Sequence, residues 1–565
     1  AFVVFEPFLQ RCIDSGIDSV ENTPSAPAAV LHHTRRIAAM ASFDDNGSDD
    51  DGMGGAFAAL ELVPDTLTYT RCTIAQDADK KWRVAYAYSF CGGPEVLMKV
   101  TLPPRDAMND ECRRVLAHAG LVLLCWQWMS TPCRKIVCKA TALTADQRQF
   151  WADFYREAFA EFALHNNLAA DACDIEVEAP RAEDDEEPVK KQQDESVRVL
   201  CGLGGGKDSL VAWLLSTRQP RVASVDWLYV DDGGDEYENS KRLQGVVRTA
   251  GGAAHLARHD FSGLTESTYR TPCGHPWAAL CAFDGVAVAS LLGYDGFVVG
   301  HERSAAEGNG VFFNGREVNH QFDKSLKWEA ALRSYLGRLS SVSYVSPLQP
   351  LWDLQVAGLF RRMNQIVSRK DLPIDLRTGI FCLEDALRPF YSLFRSCNDS
   401  GDCDQWCGAC AKCAFVFCAL SAFRDDASQI FHGVDLYGEP DMIPFFEELV
   451  GSEKAMDCVG TARETALALA LARRRRKVIG VALAAFTDGN VRHAHLLIER
   501  GPAASAPAWW DQNVLESLDS VKALAALHAQ IEEERSKGTY VNRLCAALPT
   551  EPVDPSGWTR RSDGQ

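Results

Sequence analysis

The 565-residue chain has no apolar run approaching the ~20 residues that a membrane-spanning helix needs. It lacks an excess of positive charge: 58 Lys and Arg stand against 77 Asp and Glu, for a formal net charge of −19. That balance argues against a general nucleic-acid binder, which presents a basic face. No internal repeat is evident. Cysteine, by contrast, is plentiful at 20 residues, yet the chain is too long to read as a secreted disulfide scaffold. Most of these cysteines, such as Cys125, Cys138 and Cys281, lie inside apolar stretches and read as reduced, buried thiols.

The composition, 47% hydrophobic and 24% charged, is that of a globular protein of two to four domains. Residues 1–55 read as a flexible leader. Its segment HHTRRIAAMAS has some character of a transit peptide, against which stand the apolar start and the acidic sequel. Residues 56–180 form an N-terminal α+β domain, opening with the strand-like TLTYTRCTI, KWRVAYAYSF and EVLMKVTL. Trp151, Tyr155, Phe159 and Phe162, widened by Phe150 and Phe154, make an apolar helical stripe that reads as core. Residues 181–197 are a charged linker, residues 198–460 a second and larger domain, and residues 461–565 a helical C-terminal region.

In the domain at 198–460 strand and helix alternate: RVLCGLGGG, then DSLVAWLLS, then VASVDWLYV. That alternation predicts a doubly wound parallel α/β sheet, whose ligands sit beyond the carboxyl ends of the strands. The stretch GLGGGKDS lies at such an end. It fits neither GxxxxGK[ST] nor GxGxxG. Gly204, Gly205 and Gly206 let the backbone approach a phosphate, and the N–H groups of the following helix start supply donors. Ser209 can donate a hydroxyl, and Asp208 can cap the helix or help hold Mg²⁺. The stretch resembles the pyrophosphate loop of the PP-loop ATP pyrophosphatases, with Gly204 where serine usually stands.

A second signal is RSCNDSGDCDQWCGACAKC. Cys397, Cys407, Cys410 and Cys413 follow C-x9-C-x2-C-x2-C, with Cys403 as a spare. Four thiolates so spaced suit a closed, structural tetrahedral zinc; iron–sulfur ligation also uses clustered cysteines. The cluster is similar to the tail of cyano-deazaguanine synthase, which favours zinc. Between the two signals, residues 300–329 carry Glu302, Ser304, Asn309, Asn319, His320, Gln321, Lys324 and Ser325 just after the apolar strand GFVVG. Their density and placement suit a polar, carboxylate-bearing substrate as well as an ordinary exposed loop. Lys324 can pair with a carboxylate and His320 can move protons near neutral pH.

The set GGGKDS, GHERSAAEGN, EVNHQFDKS, WCGACAKC and DCVGTARE resembles the family of UDP-N-acetylmuramoyl-L-alanyl-L-glutamate epimerases over roughly residues 56–465. In that family GGG is the usual form of the loop; His301 stands where asparagine is expected. The resemblance implies a PP-loop (adenine nucleotide alpha hydrolase-like) fold. It implies ATP-dependent inversion of the terminal L-glutamate through an acyl-adenylate, with AMP and diphosphate released. By the same resemblance Gly204 to Ser209 would hold the pyrophosphate, with Lys207 stabilising its charge. Asp208, with Asp231 or Asp232, would place Mg²⁺, and the stretch from Tyr229 to Asp232 would lie near adenine and ribose. Glu302, His320, Lys324 and Asp208 would serve the chemistry, and Asn309, Asn319, Gln321 and Ser325 the substrate side. Which group serves which face of Cα stays open. The implied partner is the UDP-linked muramoyl dipeptide, without nucleic acid or membrane, in a bacterial cytoplasm or a plastid stroma. Two other readings compete: a PP-loop enzyme that adenylates a small molecule, a nucleobase or tRNA, and a nucleotide-binding scaffold without catalysis.

Overall fold

The structure, a computed structural model, describes residues 66–182, 189, 196–265, 274–359, 387–397, 404–424, 426–475, 480–484, 496, 499–511 and 514. The leader, most of the charged linker, Cys403 and the helix-forming stretch ESLDSVKALAALHAQIEEERSK lie outside the described residues.

Three strands rich in β-branched and aromatic residues come first: β1 (Thr66–Gln76), β2 (Lys81–Phe90) and β3 (Val96–Pro104). They pair as an antiparallel meander. Helix α1 (Asp110–Ser130) follows; Asn109 caps it by accepting the Cys112 N–H at 2.8 Å. After β4 (Lys135–Cys138), a capping box of Thr144 and Gln147 starts α2 (Ala145–Ala158). The aromatic stripe is core: Trp151, Phe154, Tyr155, Phe159 and Phe162 are buried, and Trp128 of α1 packs on Tyr155, Phe159 and Phe162. Phe150, on the rim, stacks on Trp328. Strand β5 (Glu176–Glu178) ends this part.

Then come β6 (Val197–Gly202), α3 (Lys207–Thr217), β7 (Val222–Asp231), α4 (Lys241–Ala250), β8 (Ala254–Asp260), α5 (Trp277–Leu292) and β9 (Gly296–Val298). The hairpin β10 (Phe312–Phe313) and β11 (Arg316–Glu317) precedes α6 (Leu326–Gly337), β12 (Ser343–Val345) and α7 (Asp353–Gly358). Helices α8 (Ala411–Ser421) and α9 (Ala462–Arg475) pack on each other beyond the sheet. Among the described residues no helix is long and apolar enough to cross a membrane.

All strands but the hairpin join one ten-stranded sheet, ordered β12-β9-β6-β7-β8-β3-β2-β1-β4-β5. The run from β12 to β8 is parallel, as the alternation of strand and helix predicts. In chain order these five strands lie 3-2-1-4-5 from β8 to β12, so the winding reverses between β6 and β9. A crevice opens at such a switch point. The antiparallel meander is joined to this half where β3 pairs with β8. Two apolar layers cover the sheet, one built around α3, α7, α8 and α9 and the other around α1, α2, α5 and α6.

Candidate active site

The glycine turn lies at the switch point. Gly205 adopts φ +67°, in the left-handed region, and a Cβ there would stand 2.6 Å from Arg242 Nη1. At Gly206, the N-cap of α3, a Cβ would stand 2.5 Å from Ser396 Oγ. No side chain caps this helix start, so its first N–H groups suit an anion. The Ser209 hydroxyl donates to the Gly206 carbonyl at 2.9 Å and holds the turn closed.

Lys207 points below the turn. Its ammonium lies 2.7 Å from Asp208 Oδ1 and 2.6 Å from Asp353 Oδ1, and the residue is 2% exposed. Burial would lower its pKa, but Asp208, Asp353 and Glu302 outweigh burial and hold it above the usual lysine range. Burial, with Asp208 adding repulsion, raises the Glu302 carboxyl; Asp353 is raised by burial in the same cluster. One cation thus neutralises a buried acidic group that would otherwise be costly.

Above the turn opens a cavity of about 790 Å³. Its floor includes Gly204, Gly206, Asp208 and Ser209, and Tyr229 and Asp232 stand at the end of β7. Four cations reach it from separate elements: Arg242, Lys324, Arg395 and Lys412. Such a lining suits a polyphosphate. Asp231 is not on this wall. It accepts the Gly233 N–H at 2.7 Å and lies 3.7 Å from Arg258, which also pairs with Asp235 and Glu238. The acidic trio Asp231, Asp235 and Glu238 therefore already holds a cation.

In the 300–329 segment the structure separates wall from scaffold. His301 and Lys324 line the cavity. Burial, helped by Lys324, lowers His301 to about 3, so its ring is neutral. Asn319 donates to the Ala305 carbonyl at 3.0 Å and accepts the Gln321 N–H at 2.8 Å. Gln321 accepts from Lys454 Nζ at 3.1 Å, and Lys454 also donates to the Ser304 carbonyl at 2.7 Å. Ser325 caps α6 by accepting the Trp328 N–H at 3.2 Å. Asn309 accepts the His320 N–H at 3.0 Å and donates to the Lys454 carbonyl at 3.1 Å. These side chains hold the loop's shape, and none of Glu302, Asn309, Asn319, His320, Gln321 and Ser325 is on the wall of this cavity.

Glu464 ties the loop to α9. It is fully buried and accepts from the Ser304 hydroxyl at 3.0 Å, the Leu354 N–H at 2.9 Å and the Thr461 N–H at 2.8 Å.

The four cysteines converge at one point. Sγ separations are 3.6 Å for Cys407–Cys413, 3.7 Å for Cys397–Cys413 and 3.9 Å for Cys397–Cys410. Tetrahedral zinc with Zn–S bonds of about 2.3 Å needs sulfurs roughly 3.8 Å apart, so the set fits that ion. Gly408, at φ +67°, makes the tight turn. The Ala409 and Cys413 N–H groups each donate to a sulfur at 3.4 Å, an outer shell that favours thiolates.

The family description "MurL N-terminal domain" matches residues 61–346, just over half of the chain, and "MurL C-terminal domain" matches residues 393–496. The chain belongs to the MurL family. It is similar to three curated proteins, each named UDP-N-acetyl-alpha-D-muramoyl-L-alanyl-L-glutamate epimerase. The one from Micromonospora sp. is 30% identical over 379 residues, 65% of this chain and 77% of that protein. The one from Salinispora tropica is 29% identical over 330 residues, covering 56% and 64%. The one from Xanthomonas oryzae pv. oryzae is 26% identical over 427 residues, covering 73% and 86%. No solved structure matches the chain.

Several residues of this MurL-family site carry no signal in the sequence alone. Arg242 and Asp353 lie in stretches without a motif, and only the fold brings them to the glycine turn. Arg395, Ser396 and Lys412 do neighbour the cysteines, so the cluster pointed to their segment without revealing that it faces the turn.

Proposed function

We propose that this protein is an ATP-dependent epimerase that inverts the terminal L-glutamate of UDP-N-acetylmuramoyl-L-alanyl-L-glutamate, in peptidoglycan precursor synthesis. Membership of the MurL family and the printed names of its relatives support the reaction. One observation carries the mechanism. The glycine turn, four cations and the Lys324 loop meet on a single cavity at the switch point of the sheet.

The N–H groups of Gly204 to Gly206 and the start of α3, with Ser209, Ser396, Arg242 and Arg395, form the pyrophosphate cradle of a PP-loop. Asp208 and Asp232 are wall carboxylates of the kind Mg²⁺ takes, and the ion would draw charge from phosphate oxygens. Lys207 sets the position of Asp208 from below. Cys397, Cys407, Cys410 and Cys413 would hold a structural zinc, which would fix the Arg395–Ser396 segment.

A carboxylate beside Cα makes its proton hard to remove, because negative charge would accumulate on negative charge. The substrate α-carboxylate therefore attacks the α-phosphorus of ATP, and diphosphate leaves. The resulting acyl-adenylate is neutral at the carbonyl, and its enolate can be stabilised by an oriented cation. Lys324 serves this purpose at the wall. Proton loss and return on opposite faces invert Cα, and hydrolysis releases AMP.

The test is incubation with Mg²⁺, ATP and UDP-N-acetylmuramoyl-L-alanyl-L-glutamate, measuring diphosphate and the chirality of recovered glutamate. Both diphosphate and D-glutamate are expected, and both should vanish in Asp208→Ala. Diphosphate without inversion would move the protein to another adenylating reaction. Neither product from folded, zinc-loaded protein would favour a nucleotide-binding scaffold.

A further inference from the structure

Cys458 lies in the stretch DCVGTARE, ahead of α9. Lys324 Nζ is 3.2 Å from its Sγ. His320 is a second neighbour that favours the charged form of the sulfur. Asn309 holds the His320 ring in place. Its Oδ1 accepts the His320 backbone N–H at 3.0 Å, and the ring Nδ1 lies 2.9 Å from Asn309 Nδ2 and 3.1 Å from Oδ1. Nε2 lies 3.1 Å from the Asp457 carbonyl. Burial lowers the His320 pKa, which favours the neutral ring.

The sulfur is different. Burial would raise its pKa, but Lys324, Lys412 and His320 outweigh burial and hold it well below the usual thiol range. Cys458 is not itself among the wall residues, but it is partly accessible and stands directly behind Lys324, which is. Lys324 spans the distance, with its ammonium on the sulfur and its side chain on the cavity wall.

We propose that Cys458 is the base that removes the Cα proton of the activated glutamyl group, with Lys324 positioning its sulfur; this rests on the epimerase reading above. The sulfur lone pair forms S–H as Cα–H breaks, and the C–H electron pair moves into the acyl carbonyl. The proton returned to the opposite face comes from a second acid. Cys281 offers a thiol on the cavity wall, and burial keeps it protonated. Water then carries a proton from the Cys458 thiol to the Cys281 thiolate, which restores both groups.

The experiment is the full reaction in D₂O, following diphosphate, D-glutamate and deuterium at Cα for the native protein and for Cys458→Ser. The native protein should give all three. Cys458→Ser should lose inversion and deuterium uptake by roughly 100-fold or more, while diphosphate release falls far less. Deuterium uptake within a few-fold of native in Cys458→Ser would overturn the proposal. A native protein that releases no diphosphate would instead sink the epimerase reading itself. If the serine variant fails to fold, alkylation of the native protein decides. Iodoacetamide at mildly acidic pH should label Cys458 ahead of the other cysteines, and ATP plus the dipeptide substrate should protect it. An unreactive Cys458, or one that substrate does not shield, overturns the assignment.

Discussion

The backbone N–H of Arg395 donates to the carbonyl of Gly205 across 2.8 Å. Two residues later the chain reaches Cys397, so the cysteine cluster and the glycine turn brace each other. If the four cysteines hold zinc as proposed, its loss should be felt at the glycine turn. Cys410→Ser, or removal of zinc by a chelator, is expected to weaken ATP binding by an order of magnitude or more. Calorimetric titration with ATP beside a zinc assay checks this; unchanged ATP affinity in metal-free protein would separate the two features.

Gly205 combines a left-handed backbone with a guanidinium where a methyl group would go. Gly205→Ala should cost roughly 1–3 kcal/mol in backbone strain alone. It should also displace Arg242, whose Nη1 donates to the Gly205 carbonyl at 3.2 Å. Denaturant unfolding and diphosphate release should both report the damage. Gly315, also at positive φ but with open space around its Cβ, supplies a control in which strain acts without collision.

Lys207 is the cation of a cluster of three carboxylates, of which Glu302 and Asp353 are buried. Lys207→Met should destabilise by roughly 3–5 kcal/mol, because Asp208 and Asp353 lose their partner. Adding Asp353→Asn to Lys207→Met should recover part of that loss. A double-mutant cycle by urea unfolding measures the coupling, and strict additivity would contradict the pairing.

Glu329 gives a pH signature. It is buried on α6, accepts the Ser346 N–H at 3.2 Å and lies 3.8 Å from Arg333. Burial pushes its carboxyl up to about 7, above the value in an unfolded chain. The folded state thus binds this proton more tightly. Its contribution is full below the unfolded pKa and is lost as pH rises through about 7. Glu329→Gln keeps a neutral acceptor at every pH. Its melting temperature should match the native protein in acid and exceed it in mild alkali, by on the order of 3 kcal/mol in stability. Melting curves across that range decide.

The parts legible in the sequence were the local ones. The glycine turn and the Cys407–Cys413 stretch announce themselves because their donors are neighbours in the chain. The parallel half of the sheet followed from alternation of strand and helix. Orientation was not legible. Lys207 turns from the cavity because Asp353, far along the chain, waits below it. Asn319 and Gln321 looked like substrate contacts, but their polar atoms hold the loop. Cys458 is one cysteine among 20 until the fold sets an ammonium beside it.

The seam between β3 and β8 sets a condition on how the chain is made. Lys99 and Asp260, which pair across it at 3.2 Å, are 161 residues apart. Until β8 has been synthesised, the early meander has a bare edge, and such edges recruit other chains. The register partners Lys99–Asp260 and Thr101–Arg258 put charge on both borders, which discourages wrong partners while the right one is awaited. Cutting the chain between the two halves would leave each piece with an unpaired border, so separately expressed halves should aggregate and co-expressed halves should rescue each other.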